Sequence, residues 1–216
     1  MNKPIHLGLI GCGGIVQKTH ARAYHSLTET VKISALADIV SEWRASKSKG
    51  GGCISDTSYH EIYSVCTLIQ SPVRYVEARV RTMVLDIDVD DFAMLLLEHE
   101  NGAVTTVSGA WSVPATDFGW CEVHAENGSL RVKHRYNVRD ALQKYSRAEG
   151  WKQIELTELD DEGLKDSSGH AGYFTATFNA LAENNPLPIS AEKAYQNLAI
   201  IDAARRATKE RRAIEI

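Results

Sequence analysis

The sequence predicts an α/β portion built on a short parallel sheet, followed by an α+β portion, a mostly antiparallel sheet with helices on one face. Three observations predict it. Near the start of the chain, an apolar strand-like segment runs into a glycine-rich turn and then a helical stretch. Farther on, two Asn-Gly pairs separate alternating apolar runs. Two stretches of helical periodicity close the chain.

Ile5 to Ile10 reads as the first strand, and Gly11-Cys12-Gly13-Gly14-Ile15-Val16 as the turn behind it. The helix that follows runs through about Leu27, with Val16, His20, Ala23, Tyr24 and Leu27 on one stripe. His20 is expected to be a packed histidine of that stripe. Ile33 to Ala37 forms a second strand and ends at Asp38. Strand, glycine turn, helix, strand and acid, in that order, are the plan of a dinucleotide site, here a truncated Rossmann-type sheet. Gly11 allows the tight turn. Gly13 lets a pyrophosphate approach backbone N–H groups at the helix start, where unpaired donors and a partial positive charge favour an anion. Asp38 stands where a carboxylate accepts the ribose hydroxyls. Val16 is bulkier than the Gly or Ala usual at the third position.

A second helix is expected from Ser41 to Ala45, ending at Lys49-Gly50-Gly51-Gly52. Cys53-Ile54-Ser55 reads as a third strand, Tyr59 to Ile62 as a helix fragment, and Ser64-Val65-Cys66-Thr67 as a fourth strand. Val73 to Met83 alternates as a strand. Phe92 to Glu98 turns at Asn101-Gly102 into Ala103 to Val107, and Trp120 to His124 turns at Asn127-Gly128 into Ser129 to Val132. Both turns are hairpin signals. Gln153 to Leu156 adds a strand. The closing helices are expected from about Gly172 to Ala182 and after a Ser190 cap, the latter with Ala194, Leu198, Ile201 and Ala204 on one face. The domain boundary is placed at 67, giving domains 1–67 and 68–216. Phe92, Met94 and Leu96 alternate with Ala93, Leu95 and Leu97, so neither face of that strand is polar. That pattern favours sheet-to-sheet association with another subunit, a homo-oligomer.

Composition excludes several classes. The chain has 216 residues, is 44% hydrophobic and carries a formal net charge of -4 with scattered cations, which argues against nucleic acid. The densest basic stretch, Arg205 to Arg212, fits the end of a helix. Four separated cysteines, Cys12, Cys53, Cys66 and Cys121, suit small buried groups in a reducing compartment better than a disulfide or zinc framework. No apolar run approaches the ~20 residues of a membrane span, and the expected location is cytoplasmic. Asp86, Asp88 and Asp90 alternate and could face a hard cation, but a solvated strand end accounts for them equally. Ser108 and Ser112 have no histidine–acid partners nearby in sequence.

The glycine turn, Ala37-Asp38-Ile39-Val40 and Ser64 to Thr67 resemble the nucleotide-binding half of the glucose–fructose oxidoreductase, inositol dehydrogenase and MocA (Gfo/Idh/MocA) family. The stretches from Asp90 to Leu130 and from Gly169 to Ile216 resemble its C-terminal sheet domain and closing helices. The resemblance implies NAD(P)-dependent hydride transfer on a sugar, cyclitol or related polyol. It implies cofactor contacts from Gly11, Cys12, Gly13, Gly14, Ile15, Asp38, Cys66 and Thr67, the last two at a strand end facing the nicotinamide. Asp38 favours NAD, and Arg44 nearby leaves NADP possible.

Two family segments have no counterpart where they are expected. The lysine of a Glu-Lys-Pro segment moves the proton in the family, and no Glu-Lys-Pro occurs here. The family also carries an Asp-x-x-x-His helix in the first part of the second domain. The strings Asp56 to His60 and Asp166 to His170 fall at positions assigned above to other roles, so no catalytic residue is assigned. The chain is therefore expected to be internally shortened and slow or inactive, unless a histidine such as His60, His124 or His170 moves the proton. The alternative is a non-catalytic nucleotide-binding or oligomerisation protein derived from the family.

Overall fold

The computed structural model describes residues 4–10, 16–37, 46–111, 121–132, 142–154 and 170–216. Two compact units are present, one formed by Met1–Val113 with Thr175–Ile216 and the other by Pro114–Phe174.

In the first unit, β1 (Ile5–Ile10) and β2 (Val31–Ala37) pair in parallel, from Ile5 opposite Val31 to Ile10 opposite Ala37. A π-helical turn at Val16–His20 leads into α1 (Ala21–Ser26) between them. Ala23 and Tyr24 of α1 are buried, and His20 meets the Tyr24 ring edge-on at 6.3 Å, as its place on the apolar stripe implies. The parallel sheet has two strands among the described residues rather than the four expected.

The two absent strands are one helix. α2 spans Cys53–Ile69 and contains both Cys53-Ile54-Ser55 and Ser64-Val65-Cys66-Thr67. The short apolar runs look like strands when read separately. Over 17 residues, though, Ile54, Ser58 and Ile62 recur at four-residue spacing, and all three are fully buried. The boundary at 67 falls inside this helix. Gly50 ends a short 3-10 turn at Lys47–Lys49, in keeping with the expected helix stop, but Gly52 then starts α2.

α2 packs on a four-stranded antiparallel sheet ordered β10-β3-β4-β5, with β3 at Val73–Arg81, β4 at Phe92–His99, β5 at Val104–Ala110 and β10 at Ile214–Glu215. The Asn101-Gly102 hairpin forms as expected, with Asn101 Oδ1 accepting from the Ala103 N–H at 3.0 Å. α4 (Ala191–Glu210) joins α2 over the same core, and its Ser190 cap accepts from the Lys193 N–H at 3.3 Å. Val76, Ala78, Ala93, Leu95, Leu97 and Val107 supply the sheet side of the core, and Ile54, Ile62, Ile200, Ile201 and Ala204 the helix side. The buried face of α4 runs through Ile200, Ile201, Ala203, Ala204 and Ala207, while Leu198, expected on one face with Ile201 and Ala204, is exposed. Two polar ties fix α4. Buried Asn197 donates to the Tyr59 carbonyl at 3.0 Å, and Thr208 Oγ1 accepts from the Val80 N–H at 2.9 Å.

The second unit contains an antiparallel sheet ordered β6-β7-β8-β9, at Cys121–Ala125, Gly128–Val132, Leu142–Ser146 and Gly150–Gln153. Its Asn127-Gly128 hairpin was legible in the sequence, and β8 was not. α3 spans His170–Glu183. No helix among the described residues is long and apolar enough to cross a membrane.

Residues 82–91 connect β3 to β4 as a series of bends rather than a strand, so Asp86, Asp88 and Asp90 do not share a strand face. Asp91 organises this connection. Its carboxylate is fully buried and accepts from the N–H groups of Met83, Val84 and Leu85 at 2.7, 2.8 and 2.8 Å. Burial pushes the Asp91 carboxyl up, and these donors outweigh it and hold it below the ordinary value. A carboxyl lowered in the folded state stabilises above the ordinary carboxylate range and loses that contribution as pH falls through its folded value. The urea midpoint should therefore hold from pH 8 to about 5 and decline toward about pH 3, with Asp91→Asn flattening the decline. An identical acid slope in Asp91→Asn would contradict this role.

Candidate functional site

Asp90, beside Asp91, points the other way. Its carboxylate Oδ2 accepts from the Ile54 N–H at 2.7 Å, and its backbone carbonyl accepts from the Cys53 N–H at 2.8 Å. Two otherwise orphan donors of the first turn of α2 are met by one residue, and the negative charge sits at the positive end of the helix. Gly52 is required there, since its φ is +117° and a Cβ would overlap the Asp90 carboxylate. Asp88 Oδ1 accepts from the Lys47 N–H at 2.9 Å. Asp88 and Asp90 thus serve the backbone, and no metal-holding group of three ligands occurs among the described residues.

The sheet-facing side of α2 docks on β5 through a second glycine. A Cβ at Gly109 would overlap Ser58 Oγ and lie 3.6 Å from Cys53 Sγ. Trp111 Nε1 donates to Thr57 Oγ1 at 2.8 Å. Burial, with Asp90 and Glu61 adding negative charge, pushes the Cys53 thiol up to about 12. Burial alone takes Cys66 to about 11.

With Ile54, Ser58 and Ile62 against the sheet, helical geometry puts Asp56, His60, Tyr63 and Thr67 on the opposite stripe. His60 is exposed, its ring meets that of Tyr59 edge-on at 5.8 Å, and its carbonyl accepts from Ser64 Oγ at 2.8 Å. Asp56 and His60, one turn apart, therefore lie on a helix packed on the antiparallel sheet, not in the parallel α/β portion. The other histidines sit elsewhere. His124 is in β6, with Nδ1 at 2.9 Å from Ser129 Oγ and Nε2 at 3.5 Å from Glu122, and His170 begins α3 with its ring 6.3 Å from that of Phe174. Asp166 lies outside the described residues.

Among the expected cofactor contacts, Cys66 and Thr67 are in the last turns of α2, so the strand end that was to bring them to a nicotinamide is not there. Gly11, Cys12, Gly13, Gly14, Ile15 and Asp38 lie outside the described residues, as do Ser41 to Ala45, Ser112 and the second half of the Gln153–Leu156 strand. The frame around the glycine turn is described. Parallel register sets Ile10 opposite Ala37, so β1 and β2 finish at one end of their sheet, and helical structure resumes at Val16.

The family model for the GFO/IDH/MocA C-terminal domain matches residues 16–131. The chain belongs to the Gfo/Idh/MocA family. No curated protein matches the sequence. Solved structures share the fold of this Gfo/Idh/MocA chain at low identity. Levoglucosan dehydrogenase in complex with NADH and levoglucosan is 21% identical with a TM-score of 0.68, covering 81% of this chain and 53% of that one. An oxidoreductase from Agrobacterium radiobacter in complex with NAD+, L-tartaric acid and magnesium is 14% identical with a TM-score of 0.63, covering 99% and 57%. An NAD binding oxidoreductase from Klebsiella pneumoniae is 16% identical with a TM-score of 0.70, covering 98% and 73%. The chain therefore spans little more than half the length of the first two.

Sequence reasoning missed the helix-start role of Asp90, whose partner lies 36 residues away, and it missed the helix that presents His60. The readable signal was Gly50-Gly51-Gly52 directly before the Ile54/Ser58/Ile62 spacing. Gly109→Ala should cost about 1–3 kcal/mol by forcing α2 off β5, measured by urea unfolding. Asp90→Ala should cost about 1–2 kcal/mol through the lost carboxylate bond to the Ile54 N–H, the backbone bond to Cys53 being kept.

Proposed function

We propose that the chain is an NAD-dependent oxidoreductase acting on a sugar, cyclitol or related polyol, with His60 as the proton-transfer group and Asp56 beside it. The observation that carries this reading is the placement of exposed His60 and half-buried Asp56 one turn apart on the stripe of α2 that faces away from the sheet, on the helix that opens the sheet domain. That is where the family resemblance puts an Asp-x-x-x-His helix. The segment expected to be missing is, on this reading, present.

The cofactor reading rests on the frame of β1, the helical turn from Val16, and β2. Two parallel strands ending together before a helix start provide the setting in which backbone N–H groups meet a pyrophosphate. Gly11 to Ile15 would hold the diphosphate and Asp38 the ribose, with NAD favoured over NADP. The bound nicotinamide supplies the hydride acceptor or donor. Nicotinamide complexes among the similar structures are consistent with this assignment.

The chain's own contribution is binding, orientation and proton movement. An imidazole is suited to exchanging a proton near neutral pH, and a carboxylate one turn away can orient it. No Glu-Lys-Pro segment is present to provide the family's lysine, so turnover is expected to be slow. Among the described residues the thiols of Cys53, Cys66 and Cys121 are free, in keeping with the reducing, cytoplasmic setting proposed for the chain.

The outer face of the antiparallel sheet supports self-association. Phe92, Met94 and Leu96 of β4 are flanked across the register by Ala110, Ser108 and Thr106 of β5, and Met94 is 51% exposed. We infer a homo-oligomer that covers this face with a second copy. Met94→Glu should shift the chain toward monomer in sedimentation, and an unchanged distribution would count against that surface.

The test of function is calorimetric titration with NAD and NADP followed by a polyol turnover screen. NAD should bind more tightly than NADP. His60→Ala should lower kcat by about 10²–10⁴-fold with NAD affinity unchanged. Cofactor binding without turnover on any polyol would favour a non-catalytic nucleotide-binding protein, and no cofactor binding would refute the reading outright.

A further inference from the structure

A cleft of about 430 Å³ lies in the helical layer of the first unit, between α2 and α4. Its volume falls within the range of small-molecule sites. Tyr59, Leu198 and Ile201 give it an apolar floor, and Ser55, Asp202 and Arg205 supply the polar groups.

Both charges lie on the exposed side of α4. Asp202 has Arg205 three residues on and Arg206 four residues on, the two positions from which a cation ordinarily reaches a carboxylate. Neither does so. Arg205 Nη2 donates instead to Ser55 Oγ of α2 at 2.8 Å. Arg206 pairs with Glu210 at 3.6 Å. Asp202 has no hydrogen bond or ion pair among the described residues. The cleft therefore carries one carboxylate and one guanidinium, three residues apart on α4, that form no ion pair with each other. Ser55 fixes the guanidinium through a single N–H, leaving further donors for a ligand.

From this arrangement we propose that the cleft binds a small zwitterion, an α-amino acid with an apolar side chain. Arg205 takes its carboxylate, Asp202 takes its ammonium, and the side chain lies on Tyr59, Leu198 and Ile201. Charge complementarity selects this class. A simple anion would sit beside Asp202 and a simple cation beside Arg205, each meeting a like charge, whereas a molecule carrying both signs satisfies both groups at once. The site is independent of the oxidoreductase reading and needs neither NAD nor turnover.

Ligand-detected NMR on the full chain tests it with four probes: L-leucine, L-leucinamide as the cation alone, N-acetyl-L-leucine as the anion alone, and myo-inositol as a neutral polyol. Leucine should saturate with a Kd on the order of 1 mM, and the other three should bind at least about 10-fold more weakly. Asp202→Asn and Arg205→Gln should each weaken leucine binding about 10-fold without changing the melting temperature. Failure of leucine to bind by about 10 mM would overturn the proposal, as would equal binding of either singly charged analogue or of myo-inositol. The probe series stands even if a variant proves unstable, because it uses the unaltered protein.

Discussion

Two adjacent carboxylates, pointing in opposite directions, hold the central part of this molecule together. Asp91 turns inward and gathers three N–H groups of its own loop, which fixes the loop's path between β3 and β4. Asp90 turns outward and meets the first two free N–H groups of α2. A loop folded by one residue thereby becomes the seat for a helix through the next. Gly52 permits the close approach at the helix start, and Gly109 permits it at the strand beneath. With its start and its underside both fixed, α2 has little freedom to rotate. The stripe it turns away from the sheet is determined, and that stripe carries Asp56 and His60.

The core explains why this arrangement persists. Ile54 and Ile62 of α2 share one apolar cluster with Val76, Leu95 and Leu97 of the sheet and Ile200 and Ile201 of α4. Truncation of a side chain such as Leu95 leaves a cavity whose cost is about 2–5 kcal/mol. The polar contacts do not need to supply comparable energy. Their work is directional, since burial alone would allow a helix to slide or rotate by a residue, whereas paired N–H and carboxylate groups fix its register.

What the sequence revealed follows the range of each interaction. The Asn101-Gly102 and Asn127-Gly128 hairpins, the Ser190 cap and the β1–helix–β2 order are set by neighbours within a few residues, and all were legible. Helical periodicity puts Leu198 on one stripe with Ile201 and Ala204, but it does not give the exact centre of the stripe. Here the buried stripe runs through Ile200, Ala203 and Ala207, and the neighbouring Leu198 edge is left to the cleft. α2 was misread for the opposite reason. Its apolar segments are short enough to imitate strands, and the residue that starts it, Asp90, comes 36 positions later. The candidate site inherited the error, because His60 gains meaning only once its helix is seen to lie on the sheet.

Native-state hydrogen exchange across residues 53–69 tests the central claim most directly. Amides along the hydrogen-bonded body of α2, together with those of Cys53 and Ile54 held by Asp90, should be protected and open as one unit with the sheet beneath them, and Asp90→Ala should weaken protection at the helix start first. Independent exchange of the 53–55 and 64–67 segments, or an unchanged pattern in Asp90→Ala, would contradict it.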